Sequence, residues 1–188
     1  MKKIVLVDAS PRVNGNSDQV VRILTEDLKA HEVIVYKMRE KETHFCLACG
    51  ACQGKDTQRC VQKDDYTKLL PVLDTCDAIV MATPIYNQQI SAMAKLFIER
   101  WYPFFKRDAP LMSNTSKPGK KGALVCSFWG SPVDVTEKYA KWTVSGFSQM
   151  GCDKTKAILF PKIPGRGDIL AREEYINEIH ELAKWLVE

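Results

Sequence analysis

Residues 3–17 read KIVLVDASPRVNGNS, an apolar run that ends at Asp8 and is followed by a polar loop. The run Ile4–Val7 is shorter than the core of a secretory leader, which needs about 7–15 apolar residues, so it predicts a buried first strand. The residues after the loop, 17–30, repeat apolar side chains at the spacing of one helical face, and Ser17 is the predicted N-cap. A strand, a polar loop and a crossover helix are therefore expected here.

The same alternation continues along the chain. Further runs rich in β-branched residues predict strands at 32–36, 78–83, 123–128 and 157–160. Helical periodicity is found from Asp64 through Leu73 and over 90–101, 133–150 and 173–187. Strands that alternate with helices favour a parallel sheet with right-handed crossovers. The prediction is an α/β fold in which a doubly wound, five-stranded parallel sheet carries helices on both faces.

Composition restricts the class of protein. The chain has 188 residues, of which 45% are hydrophobic and 27% charged, and this suits a single soluble domain over 1–188. No segment approaches the roughly 20 apolar residues of a bilayer span, and a net charge of +4 is too mild for a nucleic-acid footprint. We therefore expect neither a membrane nor a nucleic acid as partner. The odd count of seven cysteines favours a reducing, cytoplasmic location.

The loop after the first strand has the chemistry of a phosphate site. It ends at a predicted helix N-terminus, where free backbone N–H groups and the positive end of the helix dipole attract an anion. Gly15 permits close backbone approach, and Arg12 can either add charge or cover the site. The glycine pattern of dinucleotide-binding loops is absent. The candidate phosphate-binding residues are Ser10, Arg12, Asn14, Gly15, Asn16 and Ser17.

Two further loops follow the predicted third and fourth strands. In an open α/β sheet, ligands bind beyond the carboxyl ends of the strands, so these loops should face the same pocket as the first. An aromatic side chain and a proline-stiffened turn suit a flat ring, and backbone amides can hydrogen-bond the polar edge of such a ring. The candidates are Pro84, Ile85, Tyr86 and Asn87 after the third strand, and Ser127, Trp129 and Gly130 after the fourth.

A compact set of thiols lies in the segment 46–60, with the spacing Cys-x2-Cys-x2-Cys-x7-Cys. Its members are Cys46, Cys49, Cys52 and Cys60. Close spacing of this kind is typical of iron–sulfur ligation, and Gly50 and Gly54 would let the chain fold around a small object. Zinc also accepts four thiolates, but structural zinc sites usually consist of two separated Cys-x2-Cys pairs. A cluster, a zinc ion and free or redox-active thiols are the three alternatives.

These motifs together resemble a known family. The loop Ser-Pro-Arg-x-x-Gly-Asn-Ser at 10–17, and the run Thr-Pro-Ile-Tyr at 83–86 with Lys95 and Arg100 after it, resemble the flavin motifs of the NADPH-dependent FMN reductases and iron–sulfur flavoproteins. The cysteine spacing and Asp64-Asp65 resemble the same group. The resemblance implies a flavodoxin-like sheet of strand order 2-1-3-4-5 that binds FMN. It also implies a 4Fe–4S cluster at the four cysteines and a homodimer or homotetramer.

The function that the resemblance implies is an FMN-dependent oxidoreductase. It would pass electrons from NAD(P)H or a ferredoxin-like donor to a small acceptor, namely a quinone, a flavin, a nitroaromatic, a metal ion or oxygen. The sequence offers no acid–base catalytic pattern, so the candidate residues are binders rather than catalysts. The alternative is a non-enzymatic electron carrier or redox-sensing protein. The segments 46–60 and 102–121 are expected as insertions, the second as a lid, and the aromatic run 101–105 as a subunit contact or a pocket cover.

Overall fold

The structure is a computed structural model that describes residues 1–53, 60–105 and 115–188. Its strands are β1 (Lys3–Asp8), β2 (Glu32–Lys37), β3 (Ala78–Tyr86), β4 (Gln89–Ile90), β5 (Lys120–Ser127) and β6 (Cys152–Phe160). Its helices are α1 (Asn16–Asp27), α2 (Asp65–Thr75), α3 (Ala92–Glu99), α4 (Val133–Ser145) and α5 (Glu173–Val187). Residues 54–59 of the cysteine segment and 106–114 of the predicted lid lie outside the described residues. Within the described ranges, none of the helices is long and apolar enough to cross a membrane.

The sheet has the order β2-β1-β3-β5-β6, and all of these neighbours pair in parallel. This confirms the predicted doubly wound fold and its 2-1-3-4-5 order. The one addition is β4, which pairs antiparallel with the end of β3. The turn between them consists of Asn87 and Gln88, with φ values of 47° and 65°. Two consecutive residues with positive φ form the tight hairpin turn that matches the twist of the strands.

Each face of the sheet carries its own core. Val5 and Val7 of β1 point towards the side that is covered by α2, α3 and α4. Ile4 and Leu6 point towards the opposite side, which is covered by α1 and α5. A strand that is buried on both faces reads as a continuous apolar run, and this explains why the segment 4–7 has no polar alternation.

Two predicted helix starts are wrong by one or two residues. Helix α1 begins at Asn16 with Gly15 as its N-cap, and Ser17, the predicted N-cap, is buried in the first turn. Helix α3 begins at Ala92 rather than at 90, because Gln89–Ile90 pairs with β3 and the Ser91 side chain caps the helix by accepting from Ala94 N. In both places tertiary contacts decide the boundary.

Part of the aromatic run 101–105 belongs to the core, whereas Tyr102 is exposed, so the predicted role of the run as a subunit contact or pocket cover stays a prediction. Trp101 and Phe104 are fully buried, and Pro103 is buried beside them. The Trp101 ring packs edge-on against Phe97 and Phe147, with ring centroids 6.1 and 4.8 Å away. The run follows α3 directly, so its rings continue the apolar face of that helix into the core.

Candidate functional site

The carboxyl ends of β1, β3 and β5 open onto one cavity of about 260 Å³. It is lined by Ser10, Arg12, Gly15, Asn16, Ser17, Pro84, Ile85, Tyr86, Ser127, Phe128, Trp129, Ile163, Pro164, Gly165 and Arg166. The structure thus brings together the three loops that the sequence assigned to one pocket. It does so because parallel neighbouring strands end at the same edge of the sheet.

Three of the predicted binding residues are not part of the cavity lining. Asn14, Asn87 and Gly130 all have positive φ, at 56°, 47° and 78°. Such backbone conformations reverse the chain, and Asn and Gly adopt them at low cost. In this structure the three residues shape the loops that carry the lining residues, and their contact with a cofactor stays a prediction.

The first loop uses several of its own polar groups to hold its shape. Ser10 N donates to Asp8 Oδ1 at 3.1 Å, and Arg12 N donates to Ser10 Oγ at 3.2 Å. The first intrahelical bond of α1 joins Gln19 N to Gly15 O at 3.0 Å. The backbone N–H groups of the three residues that start α1 therefore precede the helical ladder. They lie at the cavity edge formed by residues 15–17 and can hold an anion.

A buried arginine holds the loop from below. Arg39, which follows β2, pairs with Asp8 through one nitrogen and with Asp18 through the other at 3.1 Å. It also donates to Ser10 O at 3.4 Å. Burial raises the pKa of Asp8 to about 6 in spite of Arg39. No local sequence pattern indicates this role for Arg39, because its partners Asp8 and Asp18 are far from it along the chain.

Asp18 shares Arg39 with Asp8, but its pKa is shifted in the opposite direction. Burial alone would raise its pKa, but hydrogen bonds from Asn14 N, Lys37 and Arg39 hold the pKa below its ordinary value. The bond from Asn14 N is 2.9 Å long and the contact with Lys37 is 3.2 Å. Asp18 is therefore the anionic anchor of this network at neutral pH.

A pair of hydroxyls joins the first loop to the end of β3. Ser91 Oγ donates to Ala9 O at 2.6 Å, and Ser91 N donates to Thr83 Oγ1 at 3.2 Å. All three residues are buried. Sequence analysis did not single out Ser91, although a serine directly before a helical segment is a recognisable N-cap signal.

A fourth loop, which the sequence analysis did not assign to the pocket, completes the wall at 163–166. Asn16 connects it to the first loop, since Asn16 Nδ2 donates to Gly165 O at 3.0 Å and Ile169 N donates to Asn16 Oδ1 at 3.1 Å. The loop follows the carboxyl end of β6, and this is the signal that could have identified it.

The mouth of the cavity is aromatic and partly open. Tyr86 is 39% exposed and Trp129 is 63% exposed. The Arg12 guanidinium carbon lies 6.0 Å from the centroid of the Tyr86 ring, within the range of a cation–π contact. Exposed ring faces beside a pocket can stack on a flat aromatic ligand.

The four predicted metal-binding cysteines line a second, much smaller cavity of about 20 Å³. Cys46, Cys49, Cys52 and Cys60 share it with Arg100 and with Tyr102 and Pro103, which follow α3. Burial raises the pKa of the Cys52 thiol. In the described part of the chain, no three Cys, His, Asp or Glu side chains are arranged to hold a metal ion. The donors therefore suit a cluster by their chemistry, but their arrangement in the structure does not enclose one.

Arg100 closes the base of the cysteine segment. It is 2% exposed and donates to Asp64 Oδ2 at 2.6 Å, to His44 O at 2.7 Å and to Cys60 Sγ at 3.5 Å. Burial would raise the pKa of Asp64, but hydrogen bonds from Arg100, His44 N and Thr67 hold it well below its ordinary value. Arg100 therefore joins the two ends of the segment, and neither it nor Lys95 lines the flavin-type cavity that their motif predicted.

Comparison with known proteins agrees with this architecture. A family model described as NADPH-dependent FMN reductase matches residues 2–152. An iron–sulfur flavoprotein of Archaeoglobus fulgidus is 32% identical over 107 residues, which are 56% of this chain and 48% of that protein. The chain spans about half the length of most of the curated relatives it matches.

Two solved structures share the fold over nearly the whole chain. An NAD(P)H:quinone oxidoreductase from Methanothermobacter marburgensis has a TM-score of 0.78 at 15% identity and covers 100% of this chain and 98% of its own. An FMN-dependent NADH-azoreductase from Bacillus anthracis, solved with FMN, has a TM-score of 0.73 at 14% identity and covers 99% of this chain and 100% of its own. These likenesses confirm the flavodoxin-like fold. With the family model matched over residues 2–152, the chain belongs to the NADPH-dependent FMN reductase family.

Proposed function

We propose that this protein binds FMN in the cavity at the ends of β1, β3 and β5 and transfers electrons from NAD(P)H to a small acceptor such as a quinone. The observation that carries the proposal is the chemical difference between the two ends of that cavity. One end has backbone N–H groups and serine hydroxyls at the start of α1, and the other has Tyr86 and Trp129 at an open mouth. FMN has the same two parts, a phosphate and a flat ring.

The size of the cavity supports this assignment. Its volume of about 260 Å³ is close to the lower end of the range for small-molecule sites, about 300–1,000 Å³. A ligand as large as FMN would therefore extend into the open mouth. An exposed ring face is what a second substrate needs in order to approach it.

FMN, when bound, supplies the chemistry of accepting a hydride from NAD(P)H, which becomes NAD(P)⁺, and of passing two electrons to a quinone that also takes up two protons. The protein contributes binding and orientation. Ser10 and Ser17 offer hydroxyl donors at the phosphate end, and Pro84 stiffens the segment that faces the ring. No side chain has to act as an acid or a base in the hydride step.

The names of the similar structures support the choice of donor and acceptor classes. One is called an NAD(P)H:quinone oxidoreductase and another an FMN-dependent NADH-azoreductase. Both names describe the transfer of electrons from a nicotinamide cofactor to a small oxidant. Ferredoxin as donor, a homodimer or homotetramer as assembly, and a cytoplasmic location stay predictions.

A 4Fe–4S cluster at the four cysteines is the finer part of the proposal. It is supported by the compact spacing of the four cysteines and by the names of the iron–sulfur flavoprotein relatives. Iron and acid-labile sulfide analysis after anaerobic purification is expected to give about four iron atoms per chain. Flavin without iron would leave an FMN reductase whose cysteines are thiols, and zinc would indicate a structural site.

The function is tested with purified protein that has been saturated with FMN. We expect it to oxidise NADPH or NADH in the presence of a soluble benzoquinone and to form the hydroquinone in equal amount. Tyr86→Ala should lower kcat/KM for the quinone, whereas Trp142→Ala, which changes an exposed aromatic outside the cavity, is the matched control. Failure to oxidise either nucleotide with any of the quinone, flavin or nitroaromatic acceptors would favour an electron carrier.

A further inference from the structure

We propose that Arg166, rather than Arg12, supplies the positive charge that binds the flavin phosphate, and that Arg12 instead covers the ring end of the cavity. The inference rests on the proposed binding of FMN. Both arginines line the cavity. The sequence motif pointed only to Arg12 and left open whether Arg12 adds charge or covers the site.

The backbone that carries Arg166 is tied to the start of α1. Arg166 lies between Gly165, whose carbonyl accepts from Asn16 Nδ2 at 3.0 Å, and Ile169, whose N–H donates to Asn16 Oδ1 at 3.1 Å. Asn16 is the first residue of α1. The turn that carries Arg166 is thus tied directly to the helix start whose N–H groups suit a phosphate.

The turn itself is fixed by its own contacts. Gly165 N donates to Asp168 Oδ2 at 2.6 Å. Gly167 has a φ of 76°, a left-handed conformation that a glycine adopts without strain. A Cβ at Gly165 would lie 2.5 Å from Asp168 Oδ1, so a larger residue there would displace the Asp168 side chain. Arg166 is consequently presented from a defined backbone at the phosphate end.

The Arg12 side chain reaches towards the aromatic wall of the cavity. Its guanidinium carbon lies 6.0 Å from the centre of the Tyr86 ring, which places its charge beside the aromatic wall. Tyr86 ends β3 and belongs to the end of the cavity where a flat ring would stack. Arg12 is therefore engaged at the ring end rather than at the helix start.

The charges of the two cavity arginines are available to a ligand. Across residues 1–53, 60–105 and 115–188, neither Arg12 nor Arg166 takes part in an ion pair. Near the first loop, Arg39 pairs with Asp8 and Asp18 beneath it, and Arg22 donates to Asn14 Oδ1 at 3.4 Å. The guanidinium of Arg166 is thus left for a ligand, and its fork geometry matches phosphate oxygens.

The experiment compares the affinity of flavin-free protein for FMN and for riboflavin, which lacks the phosphate, by quenching of flavin fluorescence. We expect Arg166→Gln to raise the Kd for FMN by about tenfold or more and to leave the Kd for riboflavin within about twofold. Arg166→Lys should recover part of the loss. Arg172→Gln, an exposed arginine outside the cavity, is the matched control and should change neither Kd.

Arg12→Gln is the complementary variant, with a different expected effect on the two flavins. We expect it to weaken FMN and riboflavin by the same factor, because its contact is with the ring end that both ligands share. A loss confined to FMN in Arg12→Gln, or an equal loss of both flavins in Arg166→Gln, would overturn the inference. Wild-type protein that binds neither flavin would refute the proposed function itself, a result distinct from either of these.

Discussion

The first loop and the cysteine segment are each held by a buried aspartate–arginine pair, and the two pairs behave differently. Asp8 with Arg39 supports the first loop, and Asp64 with Arg100 joins the ends of the cysteine segment. Burial raises the pKa of Asp8 to about 6, whereas hydrogen bonds hold the pKa of Asp64 well below its ordinary value. Both carboxylates are inaccessible to solvent, but Asp8 lies deeper in the protein than Asp64, so its charged form is more costly to desolvate.

The two carboxylates also differ in the number of hydrogen-bond donors that each receives. Asp64 accepts from His44 N at 3.0 Å, from Thr67 N and Oγ1 at 2.9 Å each, and from both terminal nitrogens of Arg100. Asp8 accepts from Ser10 N and from one nitrogen of Arg39, whose other nitrogen serves Asp18. Hydrogen bonds to the charged form offset the cost of desolvation, and only Asp64 has enough of them.

The largest effect is expected from breaking the well-satisfied pair. Asp64→Asn should lower the free energy of unfolding by about 3–5 kcal/mol at pH 7, because Arg100 is left as a buried charge without its partner. Urea unfolding under reducing conditions measures this. Lys141→Gln, which removes an exposed pair with Glu137 on α4, is the control and should leave stability unchanged. A loss as small as that of the control would contradict the structural role of the pair.

The two pairs should also respond to pH in opposite directions. The folded-state pKa of Asp8 lies above its unfolded value of 3.8, so its contribution to stability is present at pH 4 and is lost as the pH rises to about 6. The pKa of Asp64 is lowered, so its contribution is present above pH 4 and is lost as the pH falls further.

The measurement is the difference in unfolding free energy between wild type and each Asn variant at several pH values. For Asp8→Asn, wild type should gain on the variant by about 1–3 kcal/mol as the pH falls from 7 to 4. For Asp64→Asn, the advantage of wild type should shrink below pH 4. If the free-energy differences of the two variants change with pH in the same way, the two carboxyls titrate alike. That result would contradict the opposite pKa shifts of Asp8 and Asp64.

A third substitution tests whether the hydrogen bonds of Ser91, rather than the Asp8–Arg39 ion pair, hold the first loop in place. Ser91→Ala removes the bond to Ala9 O and the cap of α3, and should cost about 1–2 kcal/mol. The same variant should bind FMN more weakly, because Ser91 joins the first loop to the end of β3. If stability and FMN affinity are unchanged, Arg39 alone holds the first loop in place.

The smallest effect is expected from Asp8→Asn at pH 7. The ionised carboxylate is costly to bury, and Arg39 keeps Asp18 as a partner, so the loss should be about 1 kcal/mol or less. Urea unfolding at pH 7 beside Asp64→Asn provides the direct comparison. A loss equal to that of Asp64→Asn would mean that both pairs are equally well satisfied.

Much of the site was accessible from local sequence signals. The polar loop after 4–7 and the proline-stiffened turn at 84 are recognisable within a few residues, and the rule on strand ends brings them to one cavity. The same rule was not applied to the last strand, so the loop 163–166 was missed. The burial of Trp101 and Phe104 in the aromatic run was not predicted, because composition does not distinguish a buried aromatic residue from an exposed one.

The sequence by itself determined the fold class and most of the cavity lining, because periodicity and turn residues act over short distances along the chain. The strand order was implied by the family resemblance. Only the tertiary structure decided the partners of the buried charges and the fourth wall of the cavity. Arg39 reaches Asp8 across 31 residues, Arg100 reaches Asp64 across 36, and Asn16 reaches Gly165 across 149. Such pairings depend on how the elements pack against one another, and no local pattern encodes them.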